Sequence, residues 1–190
     1  GIPGEAVDGA VNSGAVQIIY GSASGLGTQN QLIYQGTIEP AMEAFPAQPE
    51  AGDYFGGALA AADFNGDGYA DVAIGAPYEN IENGEASDAG VVHILRGGPA
   101  GITAAQHQLV SQVIYESGDL FGYALTAGDF NGDGVADLAV GVPHESVINN
   151  SVIEAGAVDV FHGGVTGLAY ATSFYQGALG NGGYAGAAEE

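Results

Sequence analysis

Eight oxygen-bearing side chains recur at one spacing. Asp63, Asn65, Asp67 and Asp71 are followed 66 residues later by Asp129, Asn131, Asp133 and Asp137. They fill positions 1, 3, 5 and 9 of two nine-residue stretches, Asp-Phe-Asn-Gly-Asp-Gly-Tyr-Ala-Asp at 63–71 and Asp-Phe-Asn-Gly-Asp-Gly-Val-Ala-Asp at 129–137. Hard cations such as calcium take oxygen ligands, and alternating acids and amides on a tight loop can turn those oxygens toward one ion. Gly68 and Gly134, at position 6, permit the sharp turn because glycine reaches positive φ without steric cost. The backbone carbonyls of Tyr69 and Val135, at position 7, would supply a further ligand in each loop. Two calcium sites are therefore expected.

The loops are not EF-hands. That motif ends in a Glu at position 12, where this chain has Ile74 and Val140. An Asn-Gly or Asp-Gly pair also makes an ordinary hairpin turn, which accounts for the glycines. It does not account for three carboxylates per loop, since charges about 5 Å apart repel by roughly 3 kcal/mol at an effective dielectric near 20.

Other chemistry is poorly supplied. The chain has no Cys and no Lys, which removes thiolates and a phosphate-loop lysine. Ala23 stands where a nucleophile elbow would need its serine. His93, His107, His144 and His162 show no zinc-like spacing and read as surface or edge residues. Glu79, Glu82, Glu85, Asp88, Glu145 and Glu154 could bind a second cation or a basic partner, but their plainer reading is as solvated acidic loops. Asn149-Asn-Ser is a glycosylation sequon. No catalytic residue is expected, and the chain does not read as an enzyme.

The loops must be positioned by strands. Short apolar runs bounded by Gly and Pro, such as Asp71-Val-Ala-Ile-Gly and Asp137-Leu-Ala-Val-Gly, are strand-like, so each loop joins two strands of a hairpin. Further repeats share the 66-residue spacing: Gly90-Val-Val-His-Ile-Leu-Arg-Gly-Gly matches Gly156-Ala-Val-Asp-Val-Phe-His-Gly-Gly, with a third copy at Gly14-Ala-Val-Gln-Ile-Ile-Tyr-Gly-Ser. A second strand follows each, at 31–35, 106–113 and 173–176. One repeat thus reads as strands at 57–62, 71–75, 91–96 and 106–113. Four short strands per repeat is the pattern of a propeller blade. The expected fold is all-β, a partial β-propeller of about three four-stranded antiparallel blades. Residues 1–54 form a partial first blade and a connection, with 1–13 as a loop and 37–54 irregular because of Pro40, Pro46 and Pro49. Residues 55–120 and 121–182 form two complete blades, and 183–190 begin another.

Formal charge is −22, with Arg96 the only strong base. Such a chain repels nucleic acid and anionic membranes and suits a salty or calcium-rich medium. No apolar run approaches a membrane span, and the N-terminus carries no basic, apolar leader.

These residues resemble the FG-GAP repeat of integrin α-subunit propellers and of bacterial surface and secreted proteins. The carriers are Phe55-Gly56 and Phe121-Gly122, the two Asp loops, and Gly75-Ala76-Pro77, which becomes Gly141-Val142-Pro143 in the second copy. Tyr20-Gly-Ser-Ala-Ser-Gly-Leu26 looks more bacterial than animal. The resemblance implies calcium at the strand-one to strand-two hairpin, held by Asp63, Asn65, Asp67, Tyr69 and Asp71, and by Asp129, Asn131, Asp133, Val135 and Asp137. It implies a protein or glycan ligand on the opposite face, met by loops 78–89, 144–155 and 37–54. An extracellular or secreted adhesion module follows. Propellers close with about four to eight blades, so the chain is expected to be a piece of a longer polypeptide or to find neighbouring blades in other copies. The alternatives are a non-catalytic module of a larger secreted enzyme and a sugar-binding propeller using Tyr54, Tyr78 and Tyr123.

Overall fold

The computed structural model describes residues 1–38, 49–81, 86–147 and 152–175. Ten strands fall into three antiparallel sheets. The first pairs β1 (Val16–Ser22) with β2 (Gly25–Ile33). The second runs β3 (Ala58–Ala62), β4 (Asp71–Ala76), β5 (Val91–Arg96), β6 (Thr103–Val110), each beside its sequence neighbour. The third repeats that order with β7 (Ala124–Gly128), β8 (Asp137–Val142), β9 (Ala157–His162), β10 (Ala169–Tyr175). Four-strand meanders stacked face to face are propeller blades, and the expected fold class is borne out. The single helix among the described residues is the four-residue α1 (Gln35–Ile38), so no described helix is long and apolar enough to cross a membrane.

Composition explains the stacking. Every residue of β5 is buried, because both faces of this blade meet a neighbour. One face of the second sheet joins Val16, Ile33 and Phe55 in a core with Ile74, Val91 and Leu95. The other joins Val92, Ile94 and Val110 to Phe121, Leu138, Val140 and Phe161 of the third sheet. The strand nearest the axis is Ala-rich, and β3 lies directly against β7. Small side chains allow that approach.

Glycines make the seams tight. A Cβ on Gly90 would lie 2.3 Å from the Phe121 carbonyl oxygen, and one on Gly75 would lie 2.3 Å from that of Gly122. Gly14 meets Phe55 in the same way at 2.2 Å. The Phe-Gly pair of each complete blade therefore docks, backbone to backbone, on glycines of the blade before it.

Three expectations need correction. The fourth strand of the second sheet runs Thr103–Val110, not 106–113. Gln106 has φ 63° and the β5–β6 register shifts between Ile94 and Arg96. A bulge breaks the alternation there, so the periodic pattern begins only after it. β2 likewise ends at Ile33, because Gln35–Ile38 coil into α1 and the Thr37 N–H donates to the Tyr34 carbonyl at 2.9 Å; the 37–54 connection is thus helical at its start. Residues 1–13 are not only loop. Ile2 bridges Ala15 antiparallel, and Gly1-Ile-Pro takes the place of Gly75-Ala-Pro. The Glu5 N–H donates to the Ile2 carbonyl as that of Glu79 donates to Ala76.

Candidate cation loops and the seam between blades

Each Asp loop spans a hairpin, between β3 and β4 and between β7 and β8, as expected. Gly66 and Gly68 have φ 74° and 90°, and Gly132 and Gly134 have 80° and 91°. These positive values let successive N–H groups face inward. Asp63 Oδ1 accepts from Gly66 at 2.7 Å and from Asp67 at 3.1 Å, and Asp63 Oδ2 accepts from Gly68 at 2.8 Å. Asn65 Oδ1 accepts from the Asp67 N–H at 2.9 Å, and Asp67 Oδ1 accepts from the Tyr69 N–H at 2.9 Å. The second loop reproduces this pattern: Asp129 accepts from Gly132, Asp133 and Gly134 at 2.7–3.1 Å, Asn131 from Asp133, and Asp133 from Val135. Slight desolvation would raise the Asp63 carboxyl, but the N–H groups of Gly68, Gly66, Asp67 and Asn65 outweigh it and hold it below the usual range.

The position-9 carboxylates lie deeper. Asp71 and Asp137 are fully buried. Asp71 accepts from the N–H groups of Phe64 at 3.2 Å and Gly97 at 2.8 Å, and pairs with Arg96 Nη1 at 3.2 Å. Burial pushes its carboxyl up, and the Gly97 N–H and Arg96 pull against that. Asp137 accepts from Phe130 and Gly163, both at 2.9 Å, with His162 Nδ1 at 3.2 Å in the place of Arg96. These acids tie the hairpin base to the end of the third strand. Among the described residues, no three His, Cys, Asp or Glu side chains form a group that could hold a metal ion. The oxygen chemistry still suits a hard cation, because positions 1, 3 and 5 each present a carboxylate or amide oxygen, with the Asn65 and Asn131 Nδ2 groups donating to Asp67 and Asp133 Oδ2 at 2.9 Å. A carboxylate offers about four lone-pair sites, and the N–H groups above use two or three.

The loops are also joined to each other. The Ala136 N–H donates to the Asp63 carbonyl at 3.1 Å, and the Gly164 N–H to the Phe64 carbonyl at 3.0 Å. One loop's backbone thus depends on the next blade's loop.

The opposite end of the seam carries a device the sequence reading missed. Gln35, just past β2, donates from Nε2 to Glu79 of the next sheet. Gln112, just past β6, donates from Nε2 to Glu145 of the sheet after that. Glu79 and Glu145 are therefore not the solvated acids expected; Glu79 is 3% exposed. Burial pushes the Glu145 carboxyl up to about 7, with the Gln112 bond opposing and Asp119, Asp159 and Glu116 adding to the rise. Asp53 and Asp119, each two residues before the Phe of a Phe-Gly pair, rise to about 6 through burial. Because a folded-state value above the unfolded one means the folded chain binds more protons at these three sites, the stability they contribute is greatest below their ordinary carboxylate values and is lost as pH rises toward 7. Glu145→Gln should remove its part of that fall. Urea midpoints of both proteins at pH 4.5 and 7 measure it, and equal slopes would show that Glu145 titrates normally.

The histidine reading changes too. His93 is buried beneath Phe55, with ring centroids 5.3 Å apart, and its Nδ1 lies 3.1 Å from His107 Nε2. Burial drives His93 down to about 3 and His107 down to about 4. His93 is buried in the core and His107 is half-buried against it, and both are neutral near pH 7. His144 remains exposed, 3.9 Å from Glu154. Of the aromatic trio, Tyr54 and Tyr78 rest on each other at 5.2 Å, and Tyr123 is 54% exposed. Glu82, Glu85 and the Asn149 sequon lie outside the described residues, as do parts of the three candidate ligand loops.

The comparisons agree with this architecture. The FG-GAP repeat family profile matches residues 55–95 and 121–161, the first three strands of each complete sheet. Integrin alpha-PS2 of Drosophila melanogaster is 41% identical over 124 residues, 62% of this chain. Integrin alpha-E of Mus musculus is 40% identical over 100 residues, 51% of the chain. Phosphatidylinositol-glycan-specific phospholipase D of Rattus norvegicus is 34% identical over 143 residues, 75% of the chain. The chain spans 8%, 9% and 16% of the lengths of these three relatives. They are animal proteins, so the bacterial leaning drawn from residues 20–26 is not borne out. Residues 55–95 and 121–161 are FG-GAP repeats, and the sheets they build are integrin-α-like propeller blades.

Proposed function

We propose that this chain is a calcium-braced segment of an extracellular propeller that binds a ligand and performs no chemistry. The observation that carries the reading is the duplicate loop, in which two sets of oxygen donors at identical spacing adopt the same turn with the same N–H partners. Asp63, Asn65, Asp67, the Tyr69 carbonyl and Asp71 would hold one ion, and Asp129, Asn131, Asp133, the Val135 carbonyl and Asp137 the other. To do so, Asp67 and Asp133 exchange the Asn65 and Asn131 side-chain amides on their Oδ2 atoms for the ion, while Asp63 and Asp129 keep the N–H bonds that shape the turn. A bound cation relieves repulsion among the acids and stiffens both hairpins. Because the loops are bonded to one another, it also stiffens the seam.

At extracellular affinities of about 10⁻⁴–10⁻³ M, millimolar calcium adds about 1 kcal/mol per site. Chelator should therefore lower the melting temperature by several degrees, and Asp67→Ala or Asp133→Ala should each abolish about half of the response. A melt indifferent to chelator would remove the brace.

The ligand would be met on the face away from the Asp loops, by residues 78–89, 144–155 and 37–54, since loops on a rigid scaffold commonly carry binding. Residues 1–54, 55–120 and 121–182 serve as successive blade units, completed by blades of a longer chain or of other copies; the expected start of another blade at 183–190 lies outside the described residues. The likeness to integrin α-subunits supports an adhesive, cell-surface setting. A second reading is favoured by the rat phospholipase D, which aligns over 75% of the chain: the same blades could be a non-catalytic module of a larger secreted enzyme. Sequence beyond residues 1 and 190 separates the two, because only the second reading requires a hydrolase domain there.

A further inference from the structure

Between the second and third sheets lies a cavity of about 440 Å³ whose walls include Gln112, Glu145, Asp159 and Ser173, with Val113 and Ile114 at its rim. The equivalent space between the first and second sheets is filled. There α1 lies against β6 with Ile38 buried, and His93 stacks on His107. Asp159 stands three residues after Gly156 as His93 stands three after Gly90, so the cavity exists because a small acid replaces a ring. The link after β6 also forms no helix, leaving Val113 and Ile114 73% and 78% exposed.

What this cavity lacks is a cation: the hydroxyls of Ser146, Tyr170, Ser173 and Tyr175 line it, but no Arg or His does. Gln112 is 7% exposed; its Nε2 is used on Glu145, and its Oε1 has no partner among the described residues. Asp159 is 3% exposed and accepts only the Ser173 hydroxyl among the bonds seen. Glu145 and Asp159 are both pushed up by burial, as expected of carboxylates without a counter-charge. The chain offers none: it has no Lys, and its one Arg is paired with Asp71. Leaving buried acceptors unmatched is costly. The acids do not form a metal-holding group, and the rim is apolar. A donor-only cation on an aliphatic stem matches every feature, since an ammonium carries three donors and no acceptor.

We propose that this cavity binds a primary alkylammonium group, with its N–H donors on Gln112 Oε1, Glu145 and Asp159 and its stem against Val113 and Ile114. The source is either a free amine or a lysine side chain of a partner protein. This site is separate from the Asp loops and independent of calcium.

The test is an NMR titration of the protein at fixed ionic strength, following the Gln112 side-chain amide. n-Butylammonium should shift that resonance saturably, whereas n-butanol and tetramethylammonium should not. Asp159→Asn and Glu145→Gln should each weaken binding at least tenfold while the protein stays folded by thermal melt. Cadaverine binding more tightly than Nα-acetyl-lysine amide would identify a free diamine, and the reverse a lysine side chain; either supports the site. No saturable shift, an equal shift with tetramethylammonium, or undiminished binding in whichever of the two variants is folded would overturn it.

Discussion

Gly90→Ala should destabilise the protein by about 3 kcal/mol or more, as measured by urea unfolding. Two terms add. Gly90 has φ 83°, a conformation that costs an L-residue about 1–2 kcal/mol. The new methyl would also lie 2.3 Å from the Phe121 carbonyl oxygen and 2.7 Å from its nitrogen. Backbone cannot swing aside as a side chain can, so the seam must open, at a further 1–3 kcal/mol typical of overpacking. The third sheet supplies the control. Gly156 occupies the same place with φ 74°, and its nearest obstacle is the Pro143 carbonyl oxygen at 3.1 Å. Gly156→Ala should therefore show little beyond the conformational term, about 1–2 kcal/mol. Equal losses at the two positions would mean that blade docking does not set the cost.

Phe121→Ala should cost about 3–5 kcal/mol, the usual penalty for emptying a large buried aromatic site. The ring is fully buried, stands edge-on to Phe161 at 6.0 Å, and belongs to the core shared by two sheets. Its loss should lower the unfolding midpoint of both blades together, because neither side of the seam has another large group to fill the space. Phe130→Ala is the comparison. Phe130 is 50% exposed, and a surface truncation of this kind falls within about 0.5 kcal/mol. Similar effects from the two substitutions would contradict the placement of the core.

Phe130 also shows where the sequence was opaque. Phe64 and Phe130 hold the same position in nearly identical loops, yet Phe64 is fully buried. The difference comes from what lies beside each loop. Phe64 sits under the third sheet, with its carbonyl bonded to Gly164, and local pattern carries no record of a neighbour. The same holds for Gln112 and Glu145, and for His93 and His107. Each reads as a polar residue on a half-exposed strand or loop, and each acquires its role from a residue 14 or more positions away. By contrast, the Asp loops, the mostly apolar β4 and β5 and the Phe-Gly turns were legible, because glycine, proline and alternating acids act over a few residues. Strand ends at β2 and β6 were misplaced where a helical turn or a bulge broke the period.

The central claim is that the paired loops hold divalent cations. Isothermal calorimetry with calcium, on protein stripped by chelator, tests it most directly. The account predicts two sites per chain, one in Asp63→Ala or in Asp129→Ala, and none in the double variant, with all three variants folded by circular dichroism. Two sites persisting in the double variant, or no saturable heat with the unaltered protein, would contradict it.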